Sequence, residues 1–111
     1  MRVFLSGQYS ADHPRKILEN VNRAILHGIA IMCRGHSVFI PHLFHYVHLN
    51  RACPFEYEEY LRNDLEWLEV SDVLYRMPAD SKGADIEVAR AKELGIPVVY
   101  SLDELEKVSG L

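Results

Sequence analysis

Two carboxylates stand where helical spacing calls for apolar side chains. Glu87 is three residues after Ala84, four before Ala91 and seven before Leu94, which sets it on or beside the inward face of a helix. Asp64 lies three residues after Leu61 and four before Leu68, again on an apolar helical face. A buried carboxylate is costly unless it is paired, protonated or put to use. Alternatives stay open for both. A slight rotation would leave Glu87 at the surface near a helix start, where the positive end of the helix favours any acid. Asp64 could instead be bonded to a backbone N–H or to Arg2, Arg62 or Arg76. Two inward carboxylates on successive helices are also the kind of pair that cleaves glycosidic bonds.

Three further groups sit near them in type or spacing. Ser81-x-Gly83 opens the helix that bears Glu87; free N–H groups there can hold an anion and glycine admits close approach, or Ser81 is a plain cap. Ser6-Gly7-Gln8-Tyr9-Ser10 follows a β-rich run but lacks the later glycines of a GxGxxG fingerprint, which disfavours a dinucleotide site. His42, His45 and His48 recur every three residues. With no acidic partner nearby and no HExxH pattern they read as pocket lining, His42 or His45 meeting a substrate, and not as a metal site. Tyr57 and Tyr60 read as partial core or interface, and Trp67 as helix packing.

The elements that must position these residues follow from apolar runs and their punctuation. Arg2 to Leu5 reads as a buried strand, and Pro14 opens a long helix with Ile17, Val21, Ala24, Ile25, Gly28, Ile29 and Met32 inward. Gly35 stops it before a strand over Ser37 to Ile40, and His42 to Pro54 is a connection of undefined structure. A helix over about Glu56 to Glu69 buries Leu61, Leu65 and Leu68. Strands over Val73 to Met77 and Ile96 to Tyr100 flank a helix that ends at Leu94, with Gly95 as its stop. Ser101 and Glu104 form an S-x-x-E box for a last short helix. The order β-α-β-α-β-α-β-α predicts an α/β fold: a small flavodoxin-like or Rossmann-like three-layer sandwich, with a parallel sheet of about four to five strands and helices on both faces. Ligands in such sheets bind beyond the C-terminal strand ends. That points to the loops from Ser6 to His13, Pro41 to Cys53 and Met77 to Gly83.

Composition narrows the classes. The 111 residues suit a single domain over 1–111. They are 49% hydrophobic and 25% charged, which excludes a disordered or low-complexity chain. No apolar stretch approaches the ~20 residues of a membrane span, and the first residues are not a secretory signal. A net charge of −4 disfavours partners such as nucleic acid polymers or membranes. Cys33 and Cys53 form no CxxC pair, so a reduced, cytoplasmic chain without a disulfide framework is expected.

Asp64-Leu65-Glu66-Trp67-Leu68-Glu69-Val70-Ser71-Asp72-Val73, followed by Ser81-Lys82-Gly83-Ala84-Asp85-Ile86-Glu87, resembles the nucleoside 2-deoxyribosyltransferase superfamily. The likeness is nearest to its 2′-deoxynucleoside 5′-monophosphate N-glycosidase branch. That family carries D-L-x-W-L-x-x-[AS]-D-V and then S-x-G-x-x-x-E. Leu5-Ser6-Gly7-x-Tyr9-Ser10 is similar to its first loop and Gly95-Ile96-Pro97-Val98 to its last core strand. The resemblance implies cleavage of an N-glycosidic bond through a covalent glycosyl-enzyme on Glu87, resolved by water or by a second base. Asp64 would orient the sugar or assist protonation of the leaving base, and Tyr9 would position the nucleophile. Ser6, Gly7, Ser81 and Gly83 would bind substrate at the sugar and its 5′ end, with His42 and His45 on the base side. No cofactor and no metal are implied. The partner would be a small nucleoside or nucleotide, and a homodimer or higher homo-oligomer is expected.

The first loop departs from that branch: Gln8, Ser10, Ala11, Asp12 and His13 replace most of its glycines and arginines. The alternative is a non-catalytic nucleotide-binding or sensor module of the same fold, since fold alone does not fix function. A third reading is a metal-assisted hydrolase built on His42, His45 and His48.

Overall fold

The computed structural model of the protein describes residues 1–110; of the expected 1–111 domain, Leu111 lies outside the described residues. Strand β1 (Arg2–Ser6) leads to helix α1 (Pro14–Cys33) and strand β2 (Ser37–Phe39). A 3₁₀ turn (Pro41–Leu43) and helix α2 (Phe44–His48) follow, then α3 (Tyr57–Glu69), β3 (Val73–Arg76), α4 (Lys82–Glu93), β4 (Val98–Val99) and α5 (Leu102–Ser109). The sheet has four parallel strands in the order β2-β1-β3-β4. Strand order switches between β1 and β3, so the crevice between the loops leaving these two strands is where such a sheet offers a site.

Side-chain alternation along the strands divides the core into two layers. Val3, Leu5, Val73, Tyr75 and Met77 pack with Ala24 and Ile31 of α1 and Leu105 of α5. Phe4 and Leu74 face the other way, onto Leu68 of α3 and Ala91 of α4. By the same alternation Ser6 and Arg76 fall on the α3/α4 side, and the β1–β3 register sets them directly opposite one another.

Several boundaries and faces differ from the sequence expectations. Ile40 and the ends of the segment Ile96 to Tyr100 fall outside their strands, leaving two short edges. In α1, Ile29 and Met32 are 53% and 60% exposed, while Asn20, Val21, Ala24, Gly28 and Ile31 are buried. Beyond its polar side (Arg15, Lys16, Glu19, Arg23) this helix carries a wide apolar surface, and close approach selects which part of it is covered. A Cβ on Gly28 would lie 2.4 Å from Ile40 Cδ1, so the side bearing Gly28 must be the one in contact. The connection expected to be undefined contains the 3₁₀ turn and α2. Trp67 is half-exposed and stacks on Phe39, with ring centroids 5.6 Å apart.

Leu74 is fully buried in a central strand. Leu74→Ala is expected to cost about 2–5 kcal/mol of stability, read from urea unfolding at neutral pH; a change under 1 kcal/mol would contradict this account of the core.

Candidate functional site

The C-terminal ends of β1 and β3 open into a cavity of about 700 Å³. Its lining draws on the first loop (Gly7 to Ser10), the 3₁₀ turn and α2, the entry and first two turns of α3, and the start of α4. A volume of this size accommodates a small organic molecule. Gly7 lets the first loop turn tightly over the sheet, for a Cβ there would sit 2.4 Å from Met77 Cε and 3.0 Å from Met77 Cβ.

Glu87 lies at the floor of this cavity, 7% exposed. Ser6, at the end of β1 and fully buried, donates its hydroxyl to Glu87 Oε1 at 2.7 Å. Burial pushes the Glu87 carboxyl up to about 8; the Asp64 carboxylate adds to this, and the Ser6 hydrogen bond and the Arg76 charge oppose it. Asp64 lines the same cavity from α3, and burial raises it to about 7. Among the described residues Asp64 has no arginine partner: Arg76 is bound to backbone carbonyls and lies 3.6 Å from Asp85. Both carboxyls are therefore inward and near neutral pH in their titration. That is the arrangement in which one can act as a base or nucleophile while the other still carries a proton.

The remaining candidates fall into place around them. Ser81 caps α4, its Oγ accepting from the Ala84 N–H at 3.2 Å. Gly83 lines the cavity, and a Cβ there would meet nothing nearer than Ser81 Oγ at 4.0 Å, so its small size keeps the space beside Glu87 open. Tyr9 lines the cavity, but its hydroxyl is 2.7 Å from His45 Nδ1; the residue bonded to Glu87 is Ser6. Burial raises the Tyr9 phenol, which keeps it protonated as donor to that nitrogen. His42 is 4% exposed and directs Nε2–H to the Gln8 carbonyl at 3.2 Å, and burial lowers its pKa, holding it neutral. His48 meets the ring of Tyr60 edge-on. No cluster of three His, Cys, Asp or Glu suited to a metal ion occurs among the described residues.

The aromatic wall was not anticipated. Phe44, Phe55, Tyr57 and Tyr60 line the cavity, with Tyr60 in ring contact with Phe44, His48 and Phe55. Tyr60 also shares a hydrogen bond with Cys53 Sγ at 2.8 Å. The signal was present in α3: Tyr57, Tyr60, Leu61 and Asp64 follow helical spacing, so one face carries the aromatics and the carboxylate into the same space. The tyrosines belong to the cavity, and not to the core.

A protein-family model described as "Domain of unknown function (DUF7768)" matches residues 1–101. No curated protein matches the sequence. Among solved structures, the 2-deoxyribosyltransferase of the psychrotolerant bacterium Bacillus psychrosaccharolyticus, described as a biocatalyst for the synthesis of antiviral and antitumoral nucleosides, is similar with a TM-score of 0.66. The match has 20% identity over 88% of this chain and 69% of that one, a likeness that shows the fold. No helix among the described residues is long and apolar enough to cross a membrane.

Raised carboxyls make stability fall with pH. Glu87 and Asp64 hold protons in the folded chain that they lose in the unfolded one, so their favourable contribution is complete below pH ~4 and is lost as pH rises through about 7 and 8. Glu87→Gln keeps an acceptor for Ser6 and removes the larger part of this loss. It should stabilise the fold by on the order of 3 kcal/mol at pH 8.5 and hardly at all at pH 5, read by urea unfolding. Equal stability of the two proteins at pH 8.5 would mean that Glu87 is not buried as described.

Proposed function

The chain belongs to the DUF7768 family, and we propose that it is an N-glycosidase or 2-deoxyribosyltransferase that cleaves the glycosidic bond of a nucleoside or nucleotide through a glycosyl-enzyme on Glu87. The observation that carries this reading is the buried Glu87 carboxyl, held by Ser6 at the floor of the cavity with Asp64 in the same wall. The similarity in fold to a 2-deoxyribosyltransferase supports it.

In the reaction, an ionised Glu87 oxygen attacks C1′ of the sugar. The C1′–N bond breaks with its electron pair going to the base, and a C1′–O ester forms. The departing base takes a proton from Asp64; with Asp64 raised to about 7 and Glu87 to about 8, the reactive form, Glu87 ionised and Asp64 protonated, is the minor of the two singly protonated forms of the pair. Water, or the nitrogen of a second base, then gives a proton to the ionised Asp64 and attacks C1′; the C1′–O ester bond breaks with its electron pair returning to Glu87, which completes hydrolysis or transfer. The start of α4 at Ser81 and Gly83 receives the sugar. The aromatic wall of Phe44, Tyr57 and Tyr60 offers π-faces to the planar base, and His45, fixed by Tyr9, borders it.

Charge favours a 5′-hydroxyl over a 5′-phosphate. Glu56 and Asp80 line the cavity against a single lysine, Lys82, among the described residues, and Asp64 and Glu87 add negative charge whenever they ionise. A phosphate there would meet more like charge than opposite charge. Nucleosides are thus preferred over the nucleotides that the sequence likeness brings to mind.

Purified protein incubated with the common nucleosides and their 5′-monophosphates should release free base, measured by chromatography. Glu87→Gln should lower that rate by ~10³-fold or more while remaining folded, and an unchanged rate in the variant would remove Glu87 from the chemistry. The pH dependence of kcat/KM should be a narrow bell with its two limbs between about pH 7 and 8. Asp64→Asn should abolish the alkaline limb and leave a single acid limb that reports Glu87 alone. An unaltered bell would exclude Asp64 as the proton donor.

A further inference from the structure

Strand β3 ends in a cation. Arg76 is 8% exposed, at a position where a central parallel strand ordinarily carries apolar side chains. Burying a guanidinium is tolerable only when its donors are engaged. Its Nη1 donates to the Met77 carbonyl at 2.7 Å and its Nη2 to the Ala79 carbonyl at 2.8 Å. The carboxylate within reach, Asp85 at 3.6 Å, is largely in solvent and contributes little. The strong bonds of Arg76 therefore go to the backbone between β3 and α4.

That backbone is strained. Ala79 has φ +122°, a conformation that a residue with a Cβ rarely adopts and that persists only where its surroundings enforce it. The Arg76 bond to the Ala79 carbonyl is such an enforcement. Two residues on, Ser81 caps α4, and Glu87 stands in the second turn of that helix. Arg76 is also the register partner of Ser6, which holds Glu87 from the neighbouring strand. The cavity of about 700 Å³ does not include Arg76 in its lining; Arg76 borders a second cavity of about 300 Å³, lined with it by Met77, Pro78 and Ala79 of the loop. It acts on the site without touching a ligand.

We propose that Arg76 is a positioning residue for Glu87: it pins the β3–α4 loop through the Met77 and Ala79 carbonyls and sets a fixed positive charge beside the carboxyl. This rests on the reading of Glu87 as the reacting carboxylate. The charge is one of the influences that hold the Glu87 pKa down against burial and Asp64, so that a fraction of the carboxyl is ionised near neutral pH. Lysine at this position keeps the charge, yet its compact ammonium does not reproduce the fork that spans two carbonyls.

The test is carried out on the whole chain, with glutamate labelled with ¹³C at the side-chain carboxyl and the Glu87 signal assigned by its loss in Glu87→Gln. In Arg76→Gln the Glu87 titration midpoint should rise by about a few tenths of a pH unit, while in Arg76→Lys it should stay at the wild-type value. Amide hydrogen exchange at Ala79 to Gly83 should accelerate at least tenfold in Arg76→Lys, and on active protein kcat should fall with KM little changed. An unmoved midpoint in a folded Arg76→Gln would overturn the proposal. Wild-type loop exchange and kcat in Arg76→Lys would overturn it too, and this arm decides the matter where Arg76→Gln does not fold. The titration and the exchange need no substrate: if no nucleoside yields base while both respond as expected, the glycosidase reading falls and the coupling of Arg76 to Glu87 stands.

Discussion

A carboxyl buried over the end of a parallel sheet, with one serine hydroxyl to hold it, is the constraint around which this site is organised. Removing Glu87 from water disfavours its ionised form, and the second carboxyl in the same wall disfavours it further. What offsets this comes from the two central strands. Side-chain parity places Ser6 and Arg76 on the face that α3 and α4 cover, and the register makes them neighbours. A one-residue slip of either strand would turn these groups to the opposite layer. The two core layers, built on Phe4 and Leu74 on one side and Val3, Leu5 and Val73 on the other, secure that register and with it the setting of Glu87.

The cavity lining combines polar groups with aromatic rings, and the mixture follows from the elements that form it. Helix α4 brings Ser81, Gly83 and Glu87, and helix α3 brings Asp64 on the same face as Leu61, Tyr60 and Tyr57. The first loop and α2 are tied together by the Tyr9–His45 hydrogen bond, and the His42 bond to the Gln8 carbonyl fixes the turn that precedes α2. A ligand with a saturated, hydroxylated part and a flat, unsaturated part matches both kinds of lining, which is how a nucleoside fits the proposed reaction.

Much of this was legible in the amino-acid order. Apolar runs bounded by Gly and Pro mark four strands, and their alternation with helices implies the parallel sheet that is present. The spacing of Glu87 and Asp64 among Ala and Leu residues marks both as inward; a surface Glu87 was the competing reading, and its burial removes it. Other features depend on contacts that spacing does not encode. Helix α1 has an apolar surface wider than the face it buries, and the approach of Gly28 to Ile40 helps to decide which residues are covered. Helix α2 is five residues long, too short to show a period. Ser6 was readable as the end of a strand, but its bond to Glu87 requires knowing that α4 covers that face of the sheet. Tyr57 and Tyr60 share a stripe with Asp64 and read as partial core or interface because the sequence does not say where the sheet ends beneath them.

The central claim is that Glu87 becomes covalently bonded to the sugar. Protein mixed with the common nucleosides, quenched in acid within the first turnovers and digested, would be examined by mass spectrometry. The account predicts a pentosyl or deoxypentosyl mass on the peptide containing Glu87, absent from Glu87→Gln protein treated in the same way. A sugar adduct on a different residue, or base release with no adduct on Glu87 at any quench time, would contradict it.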